Sequence, residues 1–145
     1  MLYAIHHDDH AEKPGEIHQA NKVFVEDLAG YERLLGDLGH RHVKANLPGL
    51  LPPEDWYVAR GELTERPVMR AAPRATTIKA GADALITDIP RGASVEIFAA
   101  GQLVHSMAVL DGDELQFKIP VPCRYRVILR RWPARDRIID IEAVA

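Results

Sequence analysis

The sequence predicts a small α+β part over residues 1–66 and an all-β antiparallel sandwich over residues 75–145. Three observations carry this reading. Leu28, Tyr31, Leu34, Leu35 and Leu38 recur at helical spacing in the first part. Apolar residues recur with period two through most of the second part. Between them, residues 67–74 hold Pro67 and Pro73 without periodicity, and read as a short extended linker.

Each element follows in order. Leu2-Tyr3-Ala4-Ile5 is a short strand, and a polar loop continues from it through Pro14-Gly15. A helix is expected within residues 25–39. Glu26 and Asp27 suit its positive N-terminal end, and Gly39 suits its C-terminal cap. Gly30 and Gly36 each weaken it by ~1 kcal/mol relative to Ala, so it needs a surface to pack against. Residues 40–45 return as a strand, and a loop with three prolines runs from Asn46 to Asp55. Residues 56–66 read as a hairpin turning at Arg60-Gly61.

In the second part Val95 and Ile97 alternate with Ser94 and Glu96. The same alternation sets Leu115, Phe117 and Ile119 against Glu114, Gln116 and Lys118. It continues in Tyr125, Val127 and Leu129, and again in Ile139, Ile141 and Ala143. Sheets buried on one face give this pattern. Turn signals fall between the runs at Pro90-Arg91-Gly92, Ala100-Gly101, Asp111-Gly112-Asp113 and Trp132-Pro133. A hairpin about Trp132-Pro133 that keeps one buried face sets Arg126 opposite Asp140, Arg124 opposite Glu142 and Ile128 opposite Ile138.

Composition limits the function. The chain has 145 residues, 47% of them hydrophobic, and a net charge of −3, so a core can form and no overall basicity advertises nucleic acid. Residues 1–66 hold 7 Lys+Arg against 12 Asp+Glu; the remainder holds 11 against 9. MLYAI turns polar after five residues without a basic start, so no secretory leader is expected. Cys123 is the single cysteine, which excludes an internal disulfide and fits a reducing cytoplasm.

The candidate sites are few. His6-His7-Asp8-Asp9-His10, with His18 beyond, is rich in metal-ligating types. Zinc needs three or four ligands converging on one point, and neighbouring residues on an extended chain point to opposite faces. The cluster is therefore read as a polar loop without a specific metal. His40 and His42 share a strand face, beside a helix end that mildly favours histidine. Neither a G-x-S-x-G elbow nor a phosphate loop occurs. Cys123 has only the distant His105 in its half, so it reads as a small, partly buried thiol. Arg124, Arg126, Arg130, Arg131, Arg135 and Arg137 crowd the C-terminal region around Trp132. Asp136, Asp140 and Glu142 are expected to neutralise them across strands, so specific nucleic-acid binding is not expected.

Met1-Leu2-Tyr3-Ala4-Ile5 is similar to small proteins encoded among the tail genes of tailed bacteriophages. The stretch from Trp56 to Pro67 is similar too: an aromatic residue, then V-x-x-G-x-L-x-x-R-P. Residues 83–93 and 125–136 resemble the immunoglobulin-like modules that end such proteins. Cys123 stands where those modules usually have Gly. The resemblance implies an immunoglobulin-like sandwich at the C-terminus and a non-enzymatic virion structural protein, a tail or baseplate/fibre adaptor. Its implied partners are other virion proteins of the tail, baseplate or fibre, met in multiple copies in a symmetric assembly, with no specific nucleic acid and no membrane. It implies location in the virion, assembled in the host cytoplasm, and transfers no catalytic, cofactor-binding or metal-binding residue. Two alternatives stand beside it. One is a carbohydrate-binding module using Trp56, Tyr57 or Trp132 as sugar platforms. The other is a metal-dependent enzyme using His6, His7, Asp8, Asp9 and His10.

Overall fold

Strand β1, Leu2–His7, lies inside the first unit, residues 1–66, of the computed structural model, which describes residues 1–7, 12–23, 27–45 and 52–145. Leu2, Tyr3, Ala4 and Ile5 are all buried, so both faces of β1 are covered. That explains a continuous apolar run where a half-exposed strand would alternate. β2 (Glu16–Lys22) and β3 (Arg41–Ala45) flank β1, both antiparallel to it. β4 (Trp56–Ala59) and β5 (Glu62–Glu65) complete the sheet in the order β3-β1-β2-β4-β5.

The two faces of this sheet bury different groups. Tyr3 and Ile5 pack with Leu35 of helix α1 (Leu28–Asp37), bordered by Leu28 and Tyr31. Leu2, Ala4, Ile17 and Val58 form a second cluster with Val43, Trp56 and Leu63. The sheet curls around that cluster until β5 approaches β3. Asp27 caps α1 by accepting from the Gly30 N–H at 2.7 Å. The helix ends where Gly39 turns left-handed (φ +75°), its N–H donating to Gly36 O and that of His40 to Leu35 O. Arg60 and Gly61, both at positive φ, close the β4–β5 hairpin as a two-residue turn.

The second unit, residues 67–145, contains two sheets. The larger joins β7 (Thr77–Lys79), β9 (Ser94–Ala99), β10 (Gln102–Met107), β12 (Arg124–Arg130) and β13 (Arg137–Val144) in the order β10-β9-β12-β13-β7. The smaller joins β6 (Ala72–Pro73), β8 (Asp83–Thr87) and β11 (Leu115–Lys118) in the order β11-β8-β6. Both sheets contribute to one core, in which Ile86 and Leu115 of the smaller sheet meet Val95, Val127, Leu129 and Ile141 of the larger. Each such side chain contributes ~1.5–3 kcal/mol by leaving water. Ala100 and Gly101, again both at positive φ, form the β9–β10 turn.

The expected fold class is corrected. An α+β part followed by an immunoglobulin-like sandwich gives way to a mostly β chain in three sheets, with one ten-residue α-helix among the described residues. Two features account for the difference. Residues 16–22, assigned no element from the sequence, form the seven-residue strand β2, so the first unit is dominated by its sheet. In the second unit the larger sheet is not wholly antiparallel, because β7 pairs in parallel with β13. Residues 67–74 are also reassigned. They belong to the second unit, where Met69 and Ala71 are buried in the core and β6 pairs with β8.

Candidate functional site

The histidines singled out from the sequence do not gather into one constellation among the described residues. His6 is buried in β1, and His7 ends that strand; Asp8, Asp9 and His10 lie outside the described residues. His40 precedes β3, and its ring centre stands 6.1 Å from that of His18. His42 lies within β3, its ring centre 5.6 Å from that of Tyr3. Among the described residues no group of three or more His, Cys, Asp or Glu side chains is placed to hold a metal ion.

Tyr3 belongs to a small polar network beside α1. Its hydroxyl donates to Glu32 Oε1 at 3.0 Å, and Lys44 Nζ donates to the same oxygen at 2.8 Å. The hydrogen bond from Lys44, then that from Tyr3, holds the Glu32 carboxyl below the usual carboxylate range. Burial, with the neighbouring Glu32 charge, pushes the Tyr3 phenol up.

The basic strand β12 is neutralised in the register that its pattern predicts. Arg124, Arg126 and Ile128 stand opposite Glu142, Asp140 and Ile138. Arg126 makes two parallel bonds to Asp140, of 2.8 and 3.0 Å, which lower the Asp140 pKa. Arg124 reaches Glu142 at 3.5 Å, and Arg130 pairs with both Glu96 and Asp136. Arg137 donates instead to the Ala71 carbonyl at 3.1 Å. These guanidinium groups therefore make no bare cationic stripe for a nucleic-acid backbone. No helix among the described residues is long and apolar enough to cross a membrane.

A concave feature lies elsewhere, where the two sheets of the second unit part. A groove of about 870 Å³ runs between β10 and β11. Ile97 and Tyr125 from the larger sheet and Leu115 and Phe117 from the smaller one line it, and the segment Pro120–Cys123 also contributes. Tyr125 fixes that segment, its hydroxyl donating to Val121 O at 3.1 Å and accepting from Val121 N at 3.3 Å. Burial raises the Tyr125 phenol pKa. Cys123 is half-buried in the same wall. Of its lining residues, Val104 and Val121 are 58% and 55% exposed.

Sequence reasoning missed this groove. The signal was Leu103-Val104, two adjacent apolar residues that break the alternation of a one-sided strand. A register shift between Leu103 and His105 accompanies the break and lets both Val104 and His105 line the groove. The aromatic residues considered as sugar platforms, Trp56, Tyr57 and Trp132, are half-buried, and Trp56 packs against the first unit's core. No protein-family model matches the chain, and no curated protein matches it.

Proposed function

We propose that this chain is a non-enzymatic structural protein of a tailed-bacteriophage virion, an adaptor of the tail or of the baseplate and fibre attachment. It works by protein–protein contact with other virion components, in multiple copies within a symmetric assembly that forms in the host cytoplasm. One observation supports the contact role above the others: the apolar groove between β10 and β11, whose lining includes the exposed Val104 and Val121. Apolar surface left open in this way marks a site of interaction or ligand binding. The viral assignment rests on the sequence resemblance at residues 1–5 and 56–67; the immunoglobulin-like part of that resemblance is set aside with the fold correction.

The reading is tested in particles. Removing residues 67–145 from the encoded protein is expected to give particles that lack a tail component or fail to adsorb. Replacing His10 by alanine is expected to leave assembly and infectivity unchanged. Normal particles from the truncated gene would overturn the adaptor role. Loss of infectivity from the histidine change alone, with assembly intact, would favour the enzyme instead.

A further inference from the structure

We infer that the groove between β10 and β11 receives an extended segment of another protein, with apolar side chains at alternate positions and one carboxylate. The segment adds a strand to β10. This rests on the contact role proposed above and gives that contact a chemistry.

Three observations fit together. First, β10 is a terminal strand that pairs only with β9 among the described residues, so one row of its backbone N–H and C=O groups is open to a further strand. A strand laid there would point every second side chain into the gap between the sheets. Second, the gap is apolar and incompletely covered, since Met107 and Phe117 are only half-buried against the core they adjoin. Alternate apolar side chains would complete that covering. Third, the lining includes the Lys118 ammonium and the His105 imidazole but no Asp or Glu. Asp83, opposite Lys118 across β8–β11, accepts from Gln116 at 2.9 Å. An incoming carboxylate therefore meets the Lys118 ammonium with no acidic side chain beside it in the lining.

The same observations decide among occupants. A second copy pairing through β10 would bring Gln102-Leu103-Val104-His105-Ser106-Met107, which has no carboxylate for Lys118. A fatty acid would supply a carboxylate and an apolar chain, but no partners for the open backbone groups of β10. An extended acidic-apolar peptide supplies all three.

The experiment uses the full chain and an array of eight-residue peptides that alternate Val, Leu or Phe with Thr, each carrying one Glu or one Lys. Fluorescence anisotropy is expected to show saturable binding of Glu peptides and at least ten-fold weaker binding of the Lys counterparts. Lys118→Glu should reverse that preference, and Val104→Lys should weaken all peptides about ten-fold. Both positions are exposed, and circular dichroism serves to check that the variants fold. Bound peptide should slow amide exchange across residues 102–107. Absence of saturable binding, equal binding by both variants, or protection confined to other residues would overturn the proposal. So would concentration-dependent dimers abolished by Val104→Lys, or decanoate binding without peptide binding. If peptides fail while truncated particles still lack a component, this inference falls and the adaptor role stands. If peptides bind while truncated particles are normal, the adaptor role falls alone.

Discussion

Glu32 shows what a single side chain does in the first unit. It accepts from Lys44 and Tyr3 at once, which keeps its carboxyl ionised to lower pH than the ordinary value of 4.5. A depressed folded-state pKa contributes stability above the unfolded pKa, and that contribution is lost as pH falls through the folded one. Tyr3 has the opposite sign: its raised pKa gives stability below the unfolded value, lost as pH rises through the folded value. Lys44→Ala is expected to move the Glu32 titration upward, toward 4.5, in a carboxyl NMR titration. An unchanged midpoint would show that Tyr3 alone sets it. Neither partner was legible in the sequence, because the three residues lie on β1, α1 and β3 and meet only through the sheet.

Among the elements, β2 and β12 mark what a pattern reveals and what it conceals. β12 alternates except at Ile128, so its face, its partner β13 and its register could all be read in advance. Among its described side chains β2 carries Ile17 as the one buried, with mostly polar neighbours, and its strand character comes from pairing with β1. Periodicity cannot report a strand whose partners supply the apolar surface. Gly15, at the entrance to β2, fixes that seam. It sits at φ +77°, its carbonyl accepts from Val58 N at 2.8 Å, and a Cβ there would overlap the Val58 carbonyl. Gly15→Ala is expected to destabilise the first unit by on the order of 3 kcal/mol. Hydrogen exchange should then accelerate across β2 and β4, while the amides of residues 67–145 keep their protection. Acceleration across the whole chain would contradict this.

At the scale of the whole chain, the division was legible and the character of residues 67–74 was not. Two prolines suggested a spacer, yet Met69 and Ala71 already alternate with exposed Arg70 and Ala72 as a one-sided strand would. A proline is tolerated in a short edge strand such as β6, so punctuation and strand coexist there. The groove was concealed for a related reason: a gap between sheets is a property of their spacing, which no single strand records. The corrected boundary predicts different behaviour for two fragments. Residues 67–145 should unfold in urea as one cooperative transition. Residues 75–145 lack Met69, Ala71 and β6, and should lose ~2–5 kcal/mol, within the range for large core deletions. Equal midpoints would return residues 67–74 to a spacer role.

The parallel pairing of β7 with β13 has a mechanical consequence. β7 lies near the beginning of the second unit and β13 runs to Val144, almost at its end. Tension applied through residues 67 and 145 pulls these two parallel strands in opposite directions along their own axes. Once the two-residue β6 has peeled away, the backbone bonds around Thr77–Glu142, Ile78–Ala143 and Lys79–Val144 bear the load together, in shear. An antiparallel hairpin pulled from its open end would instead unzip one bond at a time. The short edge strand therefore acts as a clasp against force along the chain.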